Sequence, residues 1–193
     1  MPRQSGASVI ALLLAINAGT AAATEESYVT DPVHSEPSYE IRHTIFSTQR
    51  GEFTKSTAKI TLDREAKKGS IDVTIDTTSI RSHDPRLDSI LKGEDYFNVA
   101  KYPTMTFKST GMQFDGDRLS GVDGELTMLG VTKPVSLKVT DFQCGDNPFN
   151  KKPMCGADVT TTIKRSDWGM KTGIGRSSGD EVRIRIPIEA YKE

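Results

Sequence analysis

The sequence predicts an all-β fold, an antiparallel sheet folded on itself as a sandwich or a closed barrel, with one short helix. Three observations carry this reading. Apolar residues recur with period two along nearly every patterned segment after the amino-terminal stretch, turn signals separate those segments at hairpin spacing, and only one segment has helical spacing. Strands with one apolar face each, and almost no helix to cover them, must bury that face against one another. Closure would also remove the exposed edges that invite aggregation.

The elements follow in chain order. Arg3 precedes an apolar run from Val9 to Ile16, and small residues then crowd into the segment from Ala18 to Ala23. This is the order of a secretory signal peptide, with cleavage expected after Ala23; the apolar run is too short to span a bilayer core of about 30 Å. The expected division is therefore a leader over 1–23 and a single domain over 24–193, with no stable membrane span once the leader is removed. Short alternating runs then mark strands at Tyr39, Ile41 and His43, at Ala58, Ile60 and Leu62, and at Ile71, Val73 and Ile75. Asp84 can cap the one helix, Pro85 suits its first position, Leu87, Ile90 and Leu91 share a face, and Gly93 can end it. Further strands are expected at Met105 to Phe107, Val122 to Met128, Val135 to Val139, Val159 to Ile163 and Val182 to Ala190, making about eight in all. Pro187 lacks an N–H and so predicts incomplete pairing at that point of the last strand.

Composition removes several function classes. The chain has 25 Lys+Arg against 26 Asp+Glu, a formal charge of −1, and so no electrostatic footprint for nucleic acid. Three His and two Cys offer no metal-ligand cluster. Cys144 and Cys155 flank a stretch rich in turn formers, and in an oxidising compartment they are expected to close it as a disulfide. No catalytic constellation stands out: strand alternation puts Glu40 and His43 on opposite faces, the glycines between Gly173 and Gly179 lack a dinucleotide-binding spacing, and Ser89 and Ser166 sit in no nucleophile elbow.

A set of motifs resembles one family. Tyr28, Asp31, Pro32, His34 and Ser35 come first, then Ile41-Arg42-His43 with Phe46, then Gly51 and Phe53. Asp95-Tyr96-Phe97 leads to Tyr102-Pro103-Thr104-Met105-Thr106-Phe107, and Gly124, Leu126 and Thr127 lead to Gly130-Val131-Thr132-Lys133-Pro134-Val135. The segment Arg165-Ser166-Asp167-Trp168-Gly169-Met170 completes the series. In this order the chain resembles the YceI family from Tyr28 to about Tyr191. It departs from the family pattern at Pro37, at Leu87-Asp88 with Arg86 one place early, and at Trp168, where Phe is more usual.

The resemblance implies an exported, lipocalin-like antiparallel β-barrel of about eight strands. It further implies that the interior holds a polyisoprenoid, a quinone or another long-chain lipid, with no cofactor and no chemistry of its own. An enzyme acting on a lipid or quinone in the same barrel is the alternative, and a homodimer is the one protein partner it leaves open. The residues expected to line the ligand are His43, Phe46, Phe53, Phe97, Met105, Phe107, Gly124, Leu126, Met128 and Trp168. Gly124 and the flexible methionines suggest incompletely filled space on an inward face, and the polar head is expected at the mouth near His43, Arg86 or Asp88.

Overall fold

The computed structural model of the chain describes residues 25–193, so the expected leader over 1–23 lies outside the described residues. Among the described residues the strands are β1 (Glu26–Thr30), β2 (Ser38–His43), β3 (Ser47–Phe53), β4 (Ser56–Asp63), β5 (Lys68–Asp76), β6 (Ile80–Arg81), β7 (Thr104–Asp115), β8 (Arg118–Met128), β9 (Val131–Asp146), β10 (Pro153–Lys164) and β11 (Ser178–Lys192), with one α-helix, α1 (Pro85–Lys92). Eight of them form a ring in the order β1-β4-β5-β7-β8-β9-β10-β11, every neighbour antiparallel, and β1 pairs with β11 to close it. The predicted barrel is therefore present. None of the described helices is long and apolar enough to cross a membrane.

Local chemistry explains the connections. Leu129 and Gly130 both have positive φ, 53° and 74°, the backbone of the tight two-residue turn that matches the twist of the strands it joins, here β8 and β9. The helix begins and ends where the sequence predicts: the Asp84 side chain accepts from the Arg86 N–H, Pro85 occupies the first turn, and the Gly93 N–H donates to the Ile90 carbonyl. Cys144 and Cys155 face each other across the β9–β10 ladder and are joined by a disulfide. By chain entropy so short a loop contributes at most about 3 kcal/mol.

Closure depends on β11, whose free side takes two partners in succession. Ser38 to Ile41 of β2 pair with Arg185 to Val182, and Thr30 to Tyr28 of β1 pair with Ala190 to Lys192. Between them Ser35 takes over: its hydroxyl donates to the Glu189 carbonyl and accepts from the Glu189 N–H, each at 3.1 Å. Pro187 lies in that gap. Residues two apart in a strand point their N–H groups the same way, so a residue other than proline would aim an N–H into the gap beside Glu189. The expectation from Pro187 thus has a physical basis in the switch of partners.

Beside this seam, His34 Nδ1 lies 3.0 Å from Asp31 Oδ2 and 3.9 Å from Glu189 Oε2. The Asp31 hydrogen bond and charge raise the His34 pKa above its ordinary 6.5, and the same hydrogen bond lowers Asp31 below its ordinary 3.8. His34 contributes stability below its ordinary pKa and loses it as pH rises through the raised value. Asp31 contributes above its ordinary pKa and loses it as pH falls through the lowered one. The pair is therefore at full strength between those limits, in mildly acidic solution. An NMR titration of the His34 ring is expected to give a midpoint above that of the same ring in Asp31→Asn; equal midpoints would mean that the contact does not persist in solution.

Candidate ligand-binding site

The ring encloses a cavity of about 450 Å³, within the range of small-molecule sites. Its wall is predominantly hydrocarbon. Ile60 comes from β4, Val73 from β5, Phe107 from β7, Val122 and Leu126 from β8, and Val139 from β9. Val182, Ile184, Ile186 and Ile188 of β11 point inward at every second position, yet all four are only half-buried. An inward isoleucine in a filled core would be buried outright, so this partial exposure reports space along the barrel axis.

The two ends differ. At the end that carries the disulfide the lining residues Tyr28, Leu62, Leu119, Phe142 and Cys155 are buried, so that end is shut. At the opposite end the lining includes exposed residues, His43, Ile90 and Ser177, and this is the mouth. It is framed by α1, by the β2–β3 hairpin and by the loop that leads into β11. Tyr96 and Phe97, which follow α1, also reach the wall, and Phe97 meets Phe53 edge-on with 5.4 Å between ring centres.

Among the lining residues there is no Asp, Glu or Lys. Arg165 is the buried cation, 3% exposed. Its guanidinium donates to the carbonyls of Gly179, Met170 and Thr172 at 2.9, 3.2 and 2.9 Å and to the Ser178 hydroxyl at 2.9 Å. Burial lowers its pKa from the ordinary value, but a guanidinium remains charged throughout the accessible range. Its role in this geometry is to tie the loop before β11 across the barrel end. Burial, reinforced by the charge of Asp88, pushes the Tyr39 phenol up to about 12, so it stands as a neutral hydrogen-bond donor on the wall. Gly51 on β3 lies directly under that ring, where a Cβ would collide with it.

The residues expected to line the ligand separate into groups. Phe53, Phe97, Met105, Phe107, Leu126 and Met128 are on the cavity wall. His43 is on the wall but exposed at the rim rather than enclosed. Phe46 is 84% exposed at the tip of the β2–β3 hairpin, where the chain has turned at Thr44 (φ 53°) and left the barrel wall. Gly124 faces inward but is covered by the Phe107 ring, which fills the place of its missing side chain. Trp168 is 3% exposed beside the wall, where its indole N–H donates to the Leu126 carbonyl at 3.1 Å. Of the polar groups expected near the head of the ligand, Asp88 is held by Ser82 and Arg86 is paired with Asp84.

Sequence reasoning missed the contribution of the helix face and of β11 to the wall, although the alternation that identified β11 as a strand already named its inward set. It also missed the grouping of Asp31, His34 and Glu189, whose ligand atoms lie within 4.8 Å of one another and could in principle hold a metal ion. Glu189 is distant in sequence, and only the β11 seam brings it there.

Two substitutions separate filled from open positions on the wall. Gly124→Ala puts a methyl group against the Phe107 ring and the Lys108 carbonyl and is expected to cost about 1–3 kcal/mol in urea unfolding. Ala157→Phe projects into the cavity and is expected to leave the unfolding midpoint nearly unchanged while displacing bound ligand. The reverse ranking would mean that the interior is packed at Ala157 and open at Gly124.

Comparison with known proteins agrees with this geometry. A YceI-like domain model matches residues 28–190. Protein YceI of Escherichia coli O157:H7 is 34% identical over 181 residues, covering 93% of either chain. The crystal structure of BcnA from Burkholderia cenocepacia superposes with a TM-score of 0.69 at 27% identity, over 83% of this chain and 98% of that one. A polyisoprenoid binding domain from Saccharophagus degradans shares the fold with a TM-score of 0.64 at 13% identity, over 86% of this chain and 98% of its own. The eight-stranded ring, its apolar interior and the near full-length match place this chain in the YceI family.

Proposed function

We propose that this protein is an exported carrier that binds a polyisoprenoid, or a quinone or lipid with a similar long chain, inside its barrel and performs no chemistry on it. The observation that supports this best is the cavity itself, about 450 Å³, lined mainly by hydrocarbon and closed at one end. An isoprenoid chain needs apolar contact without hydrogen bonds. Each buried methylene is worth about 0.8 kcal/mol gross; ordering of chain and wall offsets most of that sum. Length and girth would then be selected by the depth of the cavity, and the polar head would stay at the mouth, within reach of His43 and the Tyr39 hydroxyl.

Export is supported by the signal-like residues 1–23 and agrees with the disulfide, which would persist in an oxidising compartment such as the periplasm. A carrier is favoured over an enzyme by the roles of the polar groups at the site. Arg165 is engaged by the loop carbonyls and Ser35 by the Glu189 backbone, while His43 stands at the rim with no carboxylate in ion-pair reach among the described residues.

The test is solvent extraction of protein purified from cells without added detergent, followed by mass spectrometry of the extract. A carrier is expected to release an unmodified long-chain isoprenoid, and His43→Gln to retain it. Absence of any lipid together with failure to retain a supplied long-chain polyprenol would overturn the reading. So would turnover of a polyprenol or quinone that His43→Gln abolishes.

A further inference from the structure

We infer that the mouth of the barrel docks on a lipid bilayer containing anionic phospholipid, through the tip of the β2–β3 hairpin. The inference rests on the carrier reading above. Ile45 and Phe46 at the tip are 80% and 84% exposed, and Ile90 on α1 is 54% exposed. The first two form no part of the cavity wall, whereas Ile90 belongs to it, so large apolar side chains are exposed both in the mouth and at the hairpin tip on its rim. Large apolar side chains gathered on one rim carry a hydration cost that isolated surface residues do not.

The tip is also held in place. The Thr44 N–H donates to the Ser177 carbonyl at 3.1 Å, and Arg42 donates to the Ile45 carbonyl at 2.6 Å and to the Thr48 hydroxyl at 3.2 Å. Little conformational freedom would therefore be lost when the two side chains enter a bilayer.

Charge around the tip fits the same partner. Arg42 precedes it, and Arg176 lies next to Ser177, the residue that holds it; both are exposed, and neither is in an ion pair among the described residues. Of the nearby carboxylates, Asp180 is turned into hydrogen bonds with Ser166, and Glu181 pairs across the ladder from Lys164. An apolar wedge flanked by unpaired cations is the chemistry of an interfacial anchor, in which burial of the wedge and attraction to anionic headgroups add. The surface also meets a need of the proposed ligand: a chain of many apolar carbons would cross from bilayer to cavity without entering water.

Co-sedimentation with phosphatidylethanolamine vesicles, with and without phosphatidylglycerol, tests the inference. Wild type is expected to bind the vesicles that contain phosphatidylglycerol, more weakly as salt rises. The double variant Ile45→Ser/Phe46→Ser is expected to bind about tenfold more weakly or worse, as loss of two buried apolar side chains implies. Phe149→Ser removes an equally exposed aromatic beside the disulfide, at the opposite end, and is expected to bind as wild type does. Circular dichroism of each variant establishes that the barrel is intact. Vesicle binding that survives in the double variant, or falls equally in Phe149→Ser, would overturn the docking surface. Absence of binding by wild type would also overturn it and would assign the rim to a protein partner or a second copy. In a parallel arm, all three proteins are loaded with a long-chain polyprenol from detergent micelles, where equal uptake is expected. Failure of wild type in that arm overturns the carrier reading, while the vesicle arm still decides the docking surface.

Discussion

An eight-stranded ring has a circumference set by strand number and stagger, and its interior is only just wide enough for side chains to fill. The structure turns on how that interior is spent. Here most inward positions carry valine, isoleucine or leucine rather than aromatics, and Ala157 is smaller still. Side chains of that size cannot meet across the axis along the whole length, and a cavity remains. Where larger groups do point inward, they close an end: Tyr28 and Phe142 beside the disulfide, and Phe53 against Phe97 below the helix. The distribution of side-chain volume along the axis makes this barrel a container with one mouth.

The same ring has to close, and the way it does so shapes the mouth. β11 is too long for either of its partners on the free side, so β1 covers its final residues and β2 its earlier ones. Ser35 and Pro187 reconcile the two at the point where neither strand reaches. Because β2 and β3 lie outside the closed ring, their hairpin stands free at the open end, beside the start of β11. The seam and the rim are thus two consequences of one topological choice. Arg165 completes that end by gathering two acceptors from the loop before β11 and two from the first residues of β11, which satisfies a buried charge without a carboxylate and leaves the wall free of acidic groups.

The parts of this arrangement that were legible in the sequence are those decided by local chemistry. The alternation of Val182 to Ala190 survives because each inward residue meets the same hydrocarbon interior. The limits of α1 are legible because Asp84, Pro85 and Gly93 act on their own backbone. Strands without that regularity escaped: β1 carries Thr30 on its buried side, β3 is polar along most of its length, and β6 has only two residues. The site was legible in outline but not in occupancy. Parity placed Gly124 on the inward face correctly, but it could not reveal that Phe107 of the neighbouring strand lies over it. The family motif placed Phe46 inside as one of its aromatics, but it follows the turn at Thr44 and stands exposed at the hairpin tip. Trp168 is aromatic and buried, as a wall residue would be, yet its indole serves a backbone carbonyl beside the cavity.

The central claim is that the chain of the ligand lies along the barrel axis, against the inward side chains of β10 and β11. Intermolecular NOEs between a bound polyprenol and methyl-labelled protein measure this directly. Contacts are expected to the methyls of Val159, Ile184, Ile186 and Ile188, in an order along the chain that follows their depth from the mouth. Contacts confined to Ile45, Ile90 or other exposed methyls, with none to the interior set, would contradict it.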